Sequence, residues 1–193
     1  MENYINLIPL SVVFLALLVL FVFPTWRRSL LALVVLFLVS FIFYIQVWPF
    51  TMSAVKLITG WMAVAILFFS PIHEETPVAG INGNQIFKIV SLVFIWVVAF
   101  LITSKINQFF LIKPEILFVA IAIFSSGLLQ LGMTTTPFYI IVGILMIFDG
   151  FELLYASIET SILINGLLSV MNLLIALVGS YLLSHPSVRE VEE

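Results

Sequence analysis

The chain has 193 residues, 63% hydrophobic and 9% charged, with a mean hydropathy of +1.29 and a net charge of −3. A water-soluble domain carries about 25% charged residues, so there is too little polar surface here to cover a soluble particle, and lipid is the solvent that remains. The apolar runs are long and unbroken rather than alternating, which excludes a barrel; the lack of cysteine removes disulfides, thiolate metal sites and cysteine nucleophiles, and no basic patch offers a surface for nucleic acid.

The expected fold is therefore an all-α, polytopic integral membrane protein forming a single helical domain over residues 1–193, with the lipid bilayer as its first partner. Seven spans can be read, each near the roughly 20 residues that cross a hydrocarbon core. The first covers about 5–23 and stops at Pro24, Trp26, Arg27 and Arg28. Its N-terminal flank, Met1–Asn6, lacks the positive region of a cleavable signal, so this run is expected to be retained. The second covers about 29–47 and ends at Trp48-Pro49; the third covers about 50–70 and ends at Pro71. A loop rich in turn formers and charges follows, from Ile72 to Gln85. The fourth span covers about 86–104, the fifth 114–131, the sixth 137–157 and the seventh 160–183. Pro114 and Pro137 open the fifth and sixth spans, where a missing N–H costs nothing. Trp26, Trp48, Trp61 and Trp96 lie near span ends or a turn or two inside, as interfacial anchors do.

Seven spans put Arg27, Arg28, Lys88 and Arg189 on one side, and Lys105 and Lys113 on the other, with Lys56 leaning toward the second. The positive-inside rule then favours an N-terminus outside and a C-terminus inside. The arginine pair after the first span casts the strongest vote.

Few ionisable groups lie within the apolar runs. Asp149 and Glu152 sit in the sixth span and Lys56 in the third. An acid at a helix centre costs about 2.5–3.5 kcal/mol on insertion scales, while an apolar residue returns about 0.3–0.6 kcal/mol. Two acids thus cancel most of what the apolar residues of this helix provide, so the helix has to be held by neighbours that the acids face. Their spacing of three residues puts both on one side of the helix. In the seventh span Asn165, Ser169 and Asn172 recur at i, i+4 and i+7 as a polar stripe on an otherwise apolar helix. The two helices form an antiparallel hairpin around Ser157–Ser161, and counting outward from that turn sets Glu152 level with Asn165 and Asp149 level with Ser169. Lys56 lies about 9 Å into the third span at 1.5 Å per residue, near the same membrane face as Glu152. Ser53, Thr59 and Gly60 share its side of the helix, which suits close packing.

Two readings of these groups remain open. In one, Asp149, Glu152 and Lys56 form part of a proton or cation path, as intramembrane ionisable residues commonly do. In the other, Lys56 snorkels to the interface and the acids lock helices together. Elsewhere, His73-Glu74-Glu75 lacks a second histidine at ligand spacing and reads as a solvated loop. Ser125-Ser126-Gly127 with Gln130 reads as a close-packing face. Glu115 suits the first turn of its helix, Glu159 lies in a turn and His185 in the tail. No Ser-His-Asp set, phosphate loop or metalloprotease motif is present, so neither a catalytic residue, a cofactor nor a metal is expected.

The stretch Gly143-Ile-Leu-Met-Ile-Phe-Asp149-Gly150-Phe-Glu152-Leu-Leu, followed by a polar hairpin and an apolar helix, resembles the NuoK/MrpC-like subunits of complex I, multisubunit cation/proton antiporters and membrane-bound hydrogenases. The likeness is to a glycine and an acid in mid-helix within a three-helix unit, here about Pro114 to Leu183. Over its whole length the chain is similar to the longer relatives in hydrogenase-4-type complexes, the component E subunits, with seven spans, a lysine in the third and an acid in the sixth. The family acid maps to Asp149 or to Glu152. Where NuoK-type subunits carry a second acid in the last helix, this chain has Asn165 and Asn172. The resemblance implies an accessory subunit that works with other membrane subunits in a bacterial or archaeal inner membrane and contributes to proton or cation translocation. Catalysis and cofactors would belong to those other subunits. A small stand-alone transporter or channel and a scaffold without transport are the alternatives.

Overall fold

The computed structural model describes residues 2–22, 25–71, 83–106 and 113–184. These form seven helices: α1 (Glu2–Val22), α2 (Trp26–Tyr44), α3 (Phe50–Phe68), α4 (Gly83–Ile106), α5 (Pro114–Met133), α6 (Pro137–Ala156) and α7 (Ile162–Ser184), with no strand among the described residues. Six of them are long and apolar enough to cross a membrane, and α1 contributes the shorter apolar stretch Ile8–Val22. The protein is a polytopic helical membrane protein. The readings made on His73, Glu74, Glu75, His185 and Arg189 concern residues outside the described ones.

Proline sets several boundaries. Pro114 and Pro137 occupy the first turns of α5 and α6, where a helix has no use for an N–H. Pro49 caps α3 with extended backbone (φ −56°, ψ 148°). Just before it, the end of α2 winds into tight turns, Gln46 N–H donating to Phe43 O and Trp48 N–H to Tyr44 O. The second helix therefore stops at Tyr44, short of the Val47 expected from hydropathy.

The helices stack in two layers. One runs α4, α1, α2, α3 and the other α5, α6, α7, with α4 and α1 against α5, α2 against α6 and α3 against α7. Burial follows from position. The apolar window of α6 is 56% buried and those of α2 and α5 are each 50% buried, against 17% for the edge helix α4. α3 and α7 run parallel, joined near their starts through Lys56 and Asn165 and near their ends by Ser70 Oγ donating to Ser180 O at 3.2 Å.

The layer α5–α6 owes its closeness to glycine. A Cβ on Gly127 would lie 2.8 Å from Gly143 O, and one on Gly150 would lie 2.5 Å from the backbone nitrogen of Phe124. These residues let two backbones approach as small residues do in membranes, where dispersion contacts rather than water expulsion hold helices together. The serine-glycine face of α5 thus packs closely, as its composition suggested. The tryptophans behave less uniformly than interfacial anchors. Trp96 lies mid-helix, stacked edge-on against Phe14 at 4.3 Å with Nε1 donating to Ser126 Oγ at 3.3 Å. Trp48 is buried and donates from Nε1 to Glu159 O at 3.3 Å, tying the α2–α3 turn to the α6–α7 turn. Finding a polar partner inside the bundle decided the place of both rings.

Candidate functional site

The buried polar groups converge where α2 and α3 of one layer meet α6 and α7 of the other. Asp149 is 3% exposed, Glu152 2% and Lys56 3%, so none of the three reaches solvent or lipid. α6 presents Asp149, Gly150, Glu152 and Leu153 on its buried side, as a spacing of three requires.

Lys56 Nζ lies 2.7 Å from Glu152 Oε1 in a buried ion pair, and donates a second, longer bond to the backbone oxygen of Asn165 at 3.3 Å. The side chain crosses from α3 to α6 and α7 rather than snorkelling to the interface. The depth match between Lys56 and Glu152 is thus accompanied by lateral contact. In a low-dielectric interior such a pair is held by short distance and by further hydrogen bonds that occupy the ammonium's remaining protons.

Asp149 has a different neighbour from the one expected. Its Oδ2 accepts from Ser40 Oγ at 2.7 Å, and the Tyr44 hydroxyl lies 3.3 Å from its backbone oxygen and 3.5 Å from Oδ1. The 2.7 Å bond is the strong one; 3.5 Å is at the margin of a hydrogen bond. No bond runs between Asp149 and Ser169, whose hydroxyl instead donates to Asn165 O in its own helix at 2.9 Å. The cause is angular. Residues three apart on a helix differ by about 60° in direction, enough for Glu152 to face α3 and α7 while Asp149 faces α2. Glu152 and Asn165 do lie level, but they meet through Lys56 rather than directly.

The stripe of α7 is inside the bundle: Asn165 and Asn172 are each 3% exposed and Ser169 4%. The amide oxygens Asn165 Oδ1 and Asn172 Oδ1 accept no hydrogen bond among the described residues. Thr59 Oγ1 donates to Val55 O at 2.9 Å, and Ser53 Oγ to Pro49 O at 3.3 Å, so both hydroxyls are spent on their own helix.

Sequence reasoning passed over Ser40 and Tyr44. Their signal was a pair of hydroxyls at i and i+4 in an apolar run, which places both on one side of α2. Ser40→Ala should destabilise the protein by about 1–3 kcal/mol, the cost of leaving a buried polar group without its hydrogen-bond partner. Tyr44→Phe, which gives up only the longer contacts, should cost less. Denaturant titration of both variants in mixed micelles checks the order, and equal losses would show that the 2.7 Å bond is not the stronger one.

Chemically the cluster is a short series of groups able to hold, take or pass a proton: an ammonium, two carboxyls and two hydroxyls that both donate and accept. No group of three His, Cys, Asp or Glu side chains converges on a metal position among the described residues. Compared with known proteins, the chain matches no family model, no curated protein and no solved structure.

Proposed function

We propose that the chain is an accessory membrane subunit of a respiratory or antiporter complex, in which Lys56, Glu152 and Asp149 carry a proton or cation through part of the bilayer. The observation that carries this reading is the placing of three ionisable side chains, all fully buried at the α2–α3–α6–α7 junction. Burying charge in hydrocarbon is expensive, and bundles that keep such groups inward use them along ion pathways. The resemblance of residues 143–154 to NuoK/MrpC-like subunits points the same way. Partner subunits are supported by the wide apolar face of α4, where Phe87, Phe94 and Phe100 are more than 60% exposed, although lipid can cover the same face. In this reading Arg27, Arg28 and Lys88 lie on the inner side of a bacterial or archaeal inner membrane.

The scaffold reading also has an observation behind it: the short Lys56–Glu152 and Ser40–Asp149 contacts would equally serve to lock four helices together. Neutral replacements separate the two. Asp149→Asn and Glu152→Gln keep shape and most hydrogen bonding while removing the titratable carboxyl. Each variant is brought to normal membrane levels and partner association, then reconstituted for proton and cation flux in vesicles. Loss of flux with assembly intact is the expected result. Full flux in the double variant would sink the relay and leave the scaffold.

A further inference from the structure

The buried polar groups do not stop at the ion pair. Asn165, Ser169 and Asn172 carry polarity on from it along the buried side of α7, the helix that packs against α3 and α6. Asn165 and Asn172 are each 3% exposed, and the amide oxygen of each has no hydrogen-bond donor among the described residues. We propose that this stretch of α7 binds buried water, which satisfies both oxygens and extends the hydrogen-bonded cluster from Lys56 to the middle of the bundle.

The packing leaves water as the donor. α3 and α7 are tied at two levels, by Lys56 Nζ on Asn165 O and by Ser70 Oγ on Ser180 O. That register sets Asn172 level with Ala63 of α3. On the α6 side, Glu152 is level with Asn165, and a Cβ on Gly179 would lie 2.7 Å from Ile141 Cγ2. Asn172, midway between those two levels, therefore lies at the depth of Leu145 and Met146. Ala63, Leu145 and Met146 are each 0% exposed and have no side-chain N–H or O–H to offer. An amide oxygen shut in such surroundings loses its bonds to bulk water and gains nothing in exchange. Enclosure by its own bundle also keeps lipid headgroups and partner chains away from it.

Buried water is retained where about two to four polar groups converge, and α7 supplies them. The Lys56 ammonium has three protons and donates to Glu152 Oε1 and to Asn165 O. A water that accepts its remaining proton can donate to Asn165 Oδ1. Ser169 Oγ gives its proton to Asn165 O and keeps its lone pairs. A second water can therefore donate both to Ser169 Oγ and to Asn172 Oδ1. Residues three and four apart on a helix stand about 5–6 Å from one another at Cβ, a gap that one water bridges. Asn172 lies near the middle of α7 (Ile162–Ser184), about 10 Å beyond Asn165 at 1.5 Å per residue. The hydration follows from the packing alone. Its use in transport rests on the relay proposed above, whose series of proton-bearing groups the waters lengthen.

The test is water-edited solid-state NMR of the full-length chain in bilayers of deuterated lipid, which reads magnetisation passing from water to side chains. The Asn165 and Asn172 amides and the Ser169 side chain should receive it early, as the exposed turn residues Glu159 and Thr160 do. Ala120 and Ala122, each 0% exposed in α5, should receive it late. Asn172→Leu should remove most of the early transfer to Ser169, and Asn172→Ser, which keeps an acceptor, should retain part of it. Late transfer to either amide in the wild-type protein would overturn the proposal whatever the flux measurements show, and so would transfer to Ser169 indifferent to Asn172→Leu. Early transfer at both amides, together with full flux in the double variant Asp149→Asn with Glu152→Gln, would uphold the water and sink the relay alone.

Discussion

Lys56→Met alone should lower stability by about 3–5 kcal/mol, and the double variant Lys56→Met with Glu152→Met should recover most of that loss. The single change leaves the Glu152 carboxyl, 2% exposed, without the ammonium that now sits 2.7 Å away. It also strips the Asn165 backbone oxygen of its bond from Nζ, leaving the Ser169 hydroxyl as its side-chain donor. The double change removes both charges together and fills similar volume with unbranched apolar side chains, which adapt to irregular space. A buried ion pair is therefore expensive to break and inexpensive to replace, because most of its Coulomb gain only offsets desolvation. Denaturant titration of wild type, both singles and the double in mixed micelles completes the cycle. Additive losses would show that Lys56 and Glu152 do not interact as the geometry states. A stable double variant lacking ion flux would further separate transport from structure, since stability would then survive the loss of the pair.

Gly150→Ala should cost about 1–3 kcal/mol, and Gly150→Leu should prevent a stable bundle. A Cβ at this position would meet Phe124 N at 2.5 Å, Ala120 O at 2.8 Å and Phe124 Cα at 2.8 Å. All three are backbone atoms of α5, so no rotamer change relieves the clash and the two helices have to separate. Separation would also disturb the site, because Asp149 precedes this glycine and holds Ser40 from α2 at 2.7 Å. Gly132→Ala is the internal control. It lies near the end of α5 with nothing within 4 Å of an added Cβ, and alanine is preferred over glycine in a helix by about 0.5–1 kcal/mol. The control should be neutral or mildly stabilising in the same titration. Comparable losses at both positions would mean that helix propensity, rather than the α5–α6 approach, governs the response.

Composition and periodicity alone determined that this is a helical membrane protein with seven apolar segments, and proline placed the starts of α3, α5 and α6 to within a residue or two. That was possible because lipid allows a spanning chain almost no choice: each backbone N–H and C=O has to be satisfied within its own helix. The inward turning of Asp149, Glu152, Asn165, Ser169 and Asn172 followed from the same cost of polarity in hydrocarbon, whereas Lys56 was equally free to snorkel to the interface. Their depth was legible too, because depth depends only on rise per residue and the parity of the spans. Which helix lies beside which was not, since apolar faces of similar composition pack on one another without a signal in either sequence. Only the tertiary structure set α3 beside α7, brought Lys56 across to Glu152, and gave Asp149 to Ser40 and Tyr44 of α2 rather than to Ser169. The hairpin count treated two carboxyls three residues apart as one direction, whereas their angular offset is enough to give each its own neighbour once helices stand on several sides. Contact across a membrane bundle is decided by lateral order, and lateral order comes from the fit of whole faces, such as the glycine approach of α5 to α6, rather than from the residues that finally meet.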